Sequence, residues 1–252
     1  LKPGDVVIKG ANALDYDHLV LREFTLGLSF SMRDDVYRAG ITRLAFVAEG
    51  TPLRVRQISG DFQVTPSQTS ITDFRILTDS SHIILSAIVD SVDLFGGMTL
   101  EGMRTCSTSV DLSVDPLNFR ELGLIIPAVH FLNGDVQGTL QADGPFGALP
   151  VHALDLRLGD SRILLSGTVS NLHDPGNLAL DVHMRESRIA PGDPLTLLPS
   201  FDLPDFRSLG PVALDVRYKG TPLDFTTRMV IETEGGTIRS DDFALTIGGP
   251  RT

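Results

Sequence analysis

The chain has 252 residues, of which 42% are hydrophobic, enough to bury a substantial core in one large or two smaller all-β domains. Its net charge of -11 excludes a protein whose affinity comes from neutralising phosphates, and equally one that lies flat on an anionic membrane. A single cysteine, Cys106, excludes an internal disulfide or a multi-cysteine metal cluster and reads as a small apolar filler.

The chain begins at Leu1 without a basic segment leading into an apolar core, and no run of 18 apolar residues follows. It therefore reads either as a soluble protein or as a segment cut from a longer one. Near the start, Asp15-Tyr-Asp-His18 is the closest approach to a ligand set, but its alternation splits Asp15 and Asp17 from His18, as in a solvated turn. The densest basic stretch, Arg54-Val55-Arg56, carries only two charges.

Strict alternation of apolar and polar residues then dominates. Ile83, Leu85, Ala87 and Val89 share one face of a strand. Val110, Leu112 and Val114 oppose Asp111, Ser113 and Asp115; Leu154, Leu156 and Leu158 oppose Asp155 and Arg157. Ile163, Leu165, Gly167 and Val169 repeat the pattern, followed by Leu178, Leu180, Val182 and Met184, and then Val212, Leu214, Val216 and Tyr218. One apolar face per strand implies antiparallel sheet, because parallel strands are covered on both faces. Turn clusters such as Asp143-Gly-Pro145, Asp174-Pro-Gly-Asn177 and Glu234-Gly-Gly236 leave little room for helix. Two short helices are expected, each with an Asp cap and a first-turn Pro: Asp115-Pro116 leading into Leu117–Leu122, and Asp193-Pro194 leading into Leu195–Leu198.

The chain also repeats itself. Ser81–Val89 (SHIILSAIV) returns as Ser161–Val169 (SRILLSGTV), identical at five of nine positions. Asn118-Phe-Arg-Glu-Leu-Gly123 is echoed by Asp205-Phe-Arg-Ser-Leu-Gly210, and Gly50-Thr-Pro-Leu53 by Gly220-Thr-Pro-Leu223. A unit of about 80–87 residues follows, with expected boundaries at 1–95, 96–175 and 176–252, the last incomplete, each adding strands to a shared core.

Motifs for nucleophilic, metal-dependent or nucleotide-dependent chemistry are absent from the sequence, so an enzyme is not expected, and neither a cofactor nor a metal is implied. The six histidines are scattered over wet-face and turn positions and read as surface residues. The lack of Trp and the 6% aromatic content speak against a stacking platform for sugars or single-stranded nucleic acid. What remains is the apolar face. Periodicity alone allows it to close against a second sheet, as a β-sandwich, or around an apolar guest, and favours the sandwich.

Two phrases carry a family resemblance: Thr72-Asp-Phe-Arg-Ile-Leu-Thr-Asp-Ser-Ser-His-Ile-Ile-Leu-Ser86 and Leu154-Asp-Leu-Arg-Leu-Gly-Asp-Ser-Arg-Ile-Leu-Leu-Ser-Gly167. They resemble the strand, Ser-bearing turn and strand unit of the AsmA-like and TamB-like proteins of diderm bacteria. Gly134–Gly138 and Glu186–Pro199 are similar to that family's linking segments, and the resemblance spans residues 40 to 240. It implies an elongated, mainly antiparallel, curled sheet open along one side (a β-taco), related to bridge-like lipid transfer proteins. The implied function is to shield phospholipid acyl chains in the periplasm for inner-to-outer membrane lipid transport and outer-membrane biogenesis, including protein translocation. The implied partners are phospholipid and the inner membrane, the latter through a segment absent from this chain; the alternative reading is a structural or partner-docking β-domain that assists assembly of outer-membrane β-barrel proteins by strand addition. No nucleic acid is implied. Under this resemblance the lipid-groove residues are Ile83, Leu85, Val89, Ile163, Leu165, Val169, Leu178, Leu180, Val182, Val212, Leu214 and Val216.

Overall fold

The computed structural model describes residues 19–92, 99, 101–202, 204 and 207–246. Thirteen strands follow one another: β1 (Leu21–Arg33), β2 (Val36–Ala48), β3 (Arg54–Val64), β4 (Gln68–Thr78), β5 (His82–Asp90), β6 (Ser107–Asn118), β7 (Asp135–Pro145), β8 (Ala148–Leu158), β9 (Ser161–Ser170), β10 (Ala179–Ile189), β11 (Val212–Thr221), β12 (Asp224–Thr233) and β13 (Gly236–Thr246). They form a single antiparallel sheet in the order of the sequence, each strand bonded only to its chain neighbours. With strands ~4.8 Å apart the sheet extends ~58 Å across its strands. The chain is thus all-β, elongated and open. A closed sandwich is excluded because every described strand belongs to this one sheet.

Pairing continues without a break past residues 95 and 175, through β5–β6 and β9–β10. The strands bend at bulges, three of which place a carboxylate residue at positive φ: Glu23 (φ 53°), Asp73 (φ 48°) and Glu186 (φ 51°), each within a register shift. Such an extra residue kinks the strand and increases its local twist.

Two helices interrupt the meander, α1 (Phe119–Ile125) after β6 and α2 (Asp193–Leu197) after β10, four strands apart. Both expected helices therefore exist, with different starts. Asp115 and Pro116 remain in β6, where Pro116, which has no N–H to donate, falls in the register shift between Val114 and Leu117. Asn118 caps α1 instead, its Oδ1 accepting from Arg120 N (3.0 Å) and Glu121 N (3.1 Å). At α2 the cap position is Gly192, and the Asp193 carboxylate is directed to a neighbouring hairpin.

That carboxylate explains the repeated nonapeptide. Each copy opens with a buried serine at a hairpin turn. Ser161 Oγ donates to Asp193 Oδ2 (2.6 Å) and accepts from Ala190 N (2.9 Å). Ser81 Oγ donates to Glu121 Oε2 (2.7 Å) and accepts from Asn118 N (3.0 Å). In both places the serine fastens the helix that follows the next strand to the end of its own hairpin.

Buried apolar residues are few among the described residues, and seven of them form two clusters. Ala48, Leu53, Val55 and Leu124 pack where α1 meets the β2–β3 hairpin. Ala142, Leu149 and Val151 form the second, against Leu140, Leu154, Leu165, Val169 and Leu172. Cys106 is buried and free, its Sγ 3.4 Å from the Ser91 carbonyl oxygen.

Candidate functional site: a continuous aliphatic face

In antiparallel sheet, directly paired residues lie on the same face, so the register shows what each face is made of. One row crosses all thirteen strands: Phe30, Ala39, Phe62, Ile71, Ala87, Val110, Ala142, Val151, Gly167, Val182, Tyr218, Thr227 and Phe243. Beside it, Phe74, Leu85, Leu112, Leu140, Leu154, Leu165, Met184, Val216 and Met229 are paired in succession from β4 to β12. A third row joins Ile58, Ile76, Ile83, Val114, Gly138, Leu156 and Ile163. A fourth joins Leu149, Val169, Leu180, Gly220, Phe225 and Leu245.

The twelve groove residues expected from the sequence are distributed as follows. Eight lie in these rows: Ile83, Leu85, Ile163, Leu165, Val169, Leu180, Val182 and Val216. Val89 pairs with Thr108, Leu214 with Ser187 and Ile231, and Val212 with Ile189. Leu178 falls just before β10. All twelve are half-buried, an exposure that neighbours in one layer produce and that a second sheet would have removed. Towards β1 the face is barer still: Leu28 is 63% exposed and Phe30 is 70% exposed.

Reading strands singly missed the aromatic part of this face. Phe62 and Phe74 meet edge-on at 5.7 Å between ring centres, and Tyr218 stacks on Phe225 at 4.7 Å. The available signal was alternation: Phe225 alternates regularly with Thr227 and Met229, while Phe74 falls in step with Ile71 only when the extra residue of a bulge is counted.

The opposite face is polar and laced with exposed ion pairs, among them Arg56–Asp79 (2.6 Å), Lys219–Asp181 (3.1 Å) and Arg162–Asp155. Arg162 grips Asp155 with two hydrogen bonds, of 3.0 and 2.7 Å, which together with its positive charge hold the Asp155 carboxyl below its ordinary value of 3.8 despite some opposing burial. Two histidines depart from the expected surface role. The His173 side chain is only 8% exposed, its Nε2 3.2 Å from a Glu101 oxygen, because its loop folds between the β5–β6 and β7–β8 connections. His183 is partly covered and pairs with Asp215 at 2.6 Å.

The Asp15–His18 stretch lies outside the described residues. Among the described residues, no group of three His, Cys, Asp or Glu side chains is placed to hold a metal ion, and no helix is long and apolar enough to cross a membrane. Chemically, the aliphatic face offers area without directed polar contacts, which suits flexible hydrocarbon. Comparison with protein-family models, curated proteins and solved structures finds no match for this chain.

Proposed function

We propose that this chain is a segment of a bridge-like lipid carrier, which shields phospholipid acyl chains on its aliphatic face during transport between the two membranes of a diderm envelope. The observation that carries the reading is the mainly apolar row that crosses all thirteen strands with no second sheet over it; within it only Ala142, Val151 and Thr227 are buried, Ala142 and Val151 by neighbouring apolar side chains. Exposed apolar area of this extent is costly in water and marks a surface that is normally occupied. Burial contributes about 0.8 kcal/mol per methylene, so an acyl chain of about fourteen methylenes, half covered, gains ~5–6 kcal/mol. That holds a lipid without fixing it in place, as a conduit requires. On this reading the headgroup stays in solvent, the segment works in the periplasm, and an inner-membrane anchor belongs to another part of a longer chain.

A second reading is favoured by the open sheet edges. Among the described residues β1 presents a 13-residue outer edge, so strand addition to an outer-membrane assembly barrel is compatible with the same architecture.

The test is native mass spectrometry of the purified chain, with extraction and identification of any bound lipid. Bound phospholipid that is lost in a folded Leu85→Asp variant supports the carrier reading. A lipid-free mass together with a melt that added phospholipid does not shift would overturn it.

A further inference from the structure

At the helix-bearing end of the sheet, α2 roofs a cleft of about 180 Å³ between the ends of β7–β10 and the start of α1. Its lining includes Phe119, Leu158, Ile163, Ile189, Leu197 and Leu198. The two polar residues at its wall, Ser161 and Asp193, are turned to each other: the Asp193 carboxylate accepts from both Ser161 N (2.8 Å) and Ser161 Oγ (2.6 Å). Both bonds fall on Asp193 Oδ2, and the other lining residues are apolar. The roof is fixed from a second side, where Asn133 N donates to the Leu197 carbonyl oxygen (2.9 Å) and Asn133 Nδ2 to that of Thr196 (3.3 Å).

We propose that this cleft is a terminal subsite, which takes the methyl end of a hydrocarbon chain whose remainder lies along the aliphatic rows. The inference rests on the reading of that face as a lipid surface, and adds a fixed address and a direction. Three features carry it. Leu156 and Ile163 line the cleft and also end the third row, so a chain passes from row to cleft without crossing a polar group. Cavities of about 150 Å³ lined by Leu, Ile and Phe stay dry and take apolar guests. Counting each methylene as slightly smaller than the ~30 Å³ share of a water molecule, the cleft holds about six carbons, the end of a chain rather than its whole length. A carboxylate or phosphate entering first would lose its hydration with no cation among the lining residues to meet it.

The chain contains no tryptophan, so Phe119→Trp places a single tryptophan, excited selectively over the three tyrosines, in the cleft wall. The variant is titrated with two hexadecanoic acids, one brominated at the terminal carbon and one beside the carboxylate, while native mass spectrometry counts the bound fatty acid. The expected result is loss of most of the emission with the terminal bromine and little loss with the other, at equal occupancy. Equal quenching, or stronger quenching by the carboxylate-side bromine, overturns the terminal subsite and leaves the lipid face standing. Absence of any fatty-acid adduct overturns both. A parallel measurement on the unaltered chain removes dependence on the variant: with a fatty acid spin-labelled at its terminus, the methyl signals of Ile189 and Leu197 should broaden more than those of Val182. Uniform broadening counts against the cleft.

Discussion

Replacing Ser161 by alanine tests whether the repeated serine fastens the helix. The substitution removes the 2.6 Å hydrogen bond from Ser161 Oγ to the Asp193 carboxylate and strands the Ala190 N–H, which Oγ accepts at 2.9 Å. Hydrogen bonds to charged groups contribute about 1.5–3 kcal/mol, and an orphaned buried donor costs about 1–3 kcal/mol. Asp193 keeps its bond from Ser161 N, so the expected loss is ~2–4 kcal/mol, concentrated at the α2 end of the sheet. Amide hydrogen exchange reads this locally: protection at Ala190 should fall by roughly 30- to 10³-fold, while amides of β2 and β3 keep theirs. Ser81→Ala should cost less, because Thr78 Oγ1 continues to donate to the Glu121 carboxylate. Unchanged protection at Ala190, or additivity of Ser161→Ala and Asp193→Asn in a double-mutant cycle, would refute the account.

Leu85→Asp is expected to leave a folded protein that no longer carries lipid, since Leu85 is half-buried with open space before it, whereas Leu165→Asp should cost more stability because Leu165 packs on the buried Ala142, Leu149 and Val151 cluster. Circular dichroism melts and lipid extraction on both variants check the pair; equal unfolding would indicate a face closed in solution. Gly167→Ala should destabilise by ~2–5 kcal/mol, as φ is 148° and an added Cβ would lie 2.6 Å from Val182 Cα. The equivalent position in the earlier copy is Ala87, so Ala87→Gly should be mild, and chemical denaturation that ranks the two equally would contradict this. Asp155, held below 3.8 by Arg162, contributes stability that is fully present above pH 3.8 and disappears as the pH falls through its lowered value. Asp155→Asn should remove that acid limb; a side-chain carbon titration placing Asp155 at or above 3.8 would sink the assignment.

The alternation in Leu154–Leu158, Ile163–Val169 and Val212–Val216 was legible because a strand's side-chain period is a local property. So was the short length of both helices, set by the Gly and Pro around them. Their caps were not: Asp115-Pro116 has the local form of a helix start, and what overrides it is pairing of Leu117 with Val136 and Asn118 with Asp135, which keeps the segment in β6. The tetrapeptide Gly-Thr-Pro-Leu shows the same limit. Both copies turn a hairpin, yet Leu53 is 1% exposed and Leu223 is 57% exposed, because Leu124 of α1 covers only the first.

The sequence by itself determined that this chain forms antiparallel strands with one aliphatic face each, and that units of strands and turns recur, since both follow from side-chain period and turn chemistry. Tertiary structure alone decided what becomes of those faces. Alternation is the same whether a face packs against a second sheet or stands open, and only the pairing order from β1 to β13 shows a single layer. It also gave the repeated serines their role, because the carboxylates they meet, Glu121 and Asp193, lie 40 and 32 residues away and are brought to them by folding of the intervening strands.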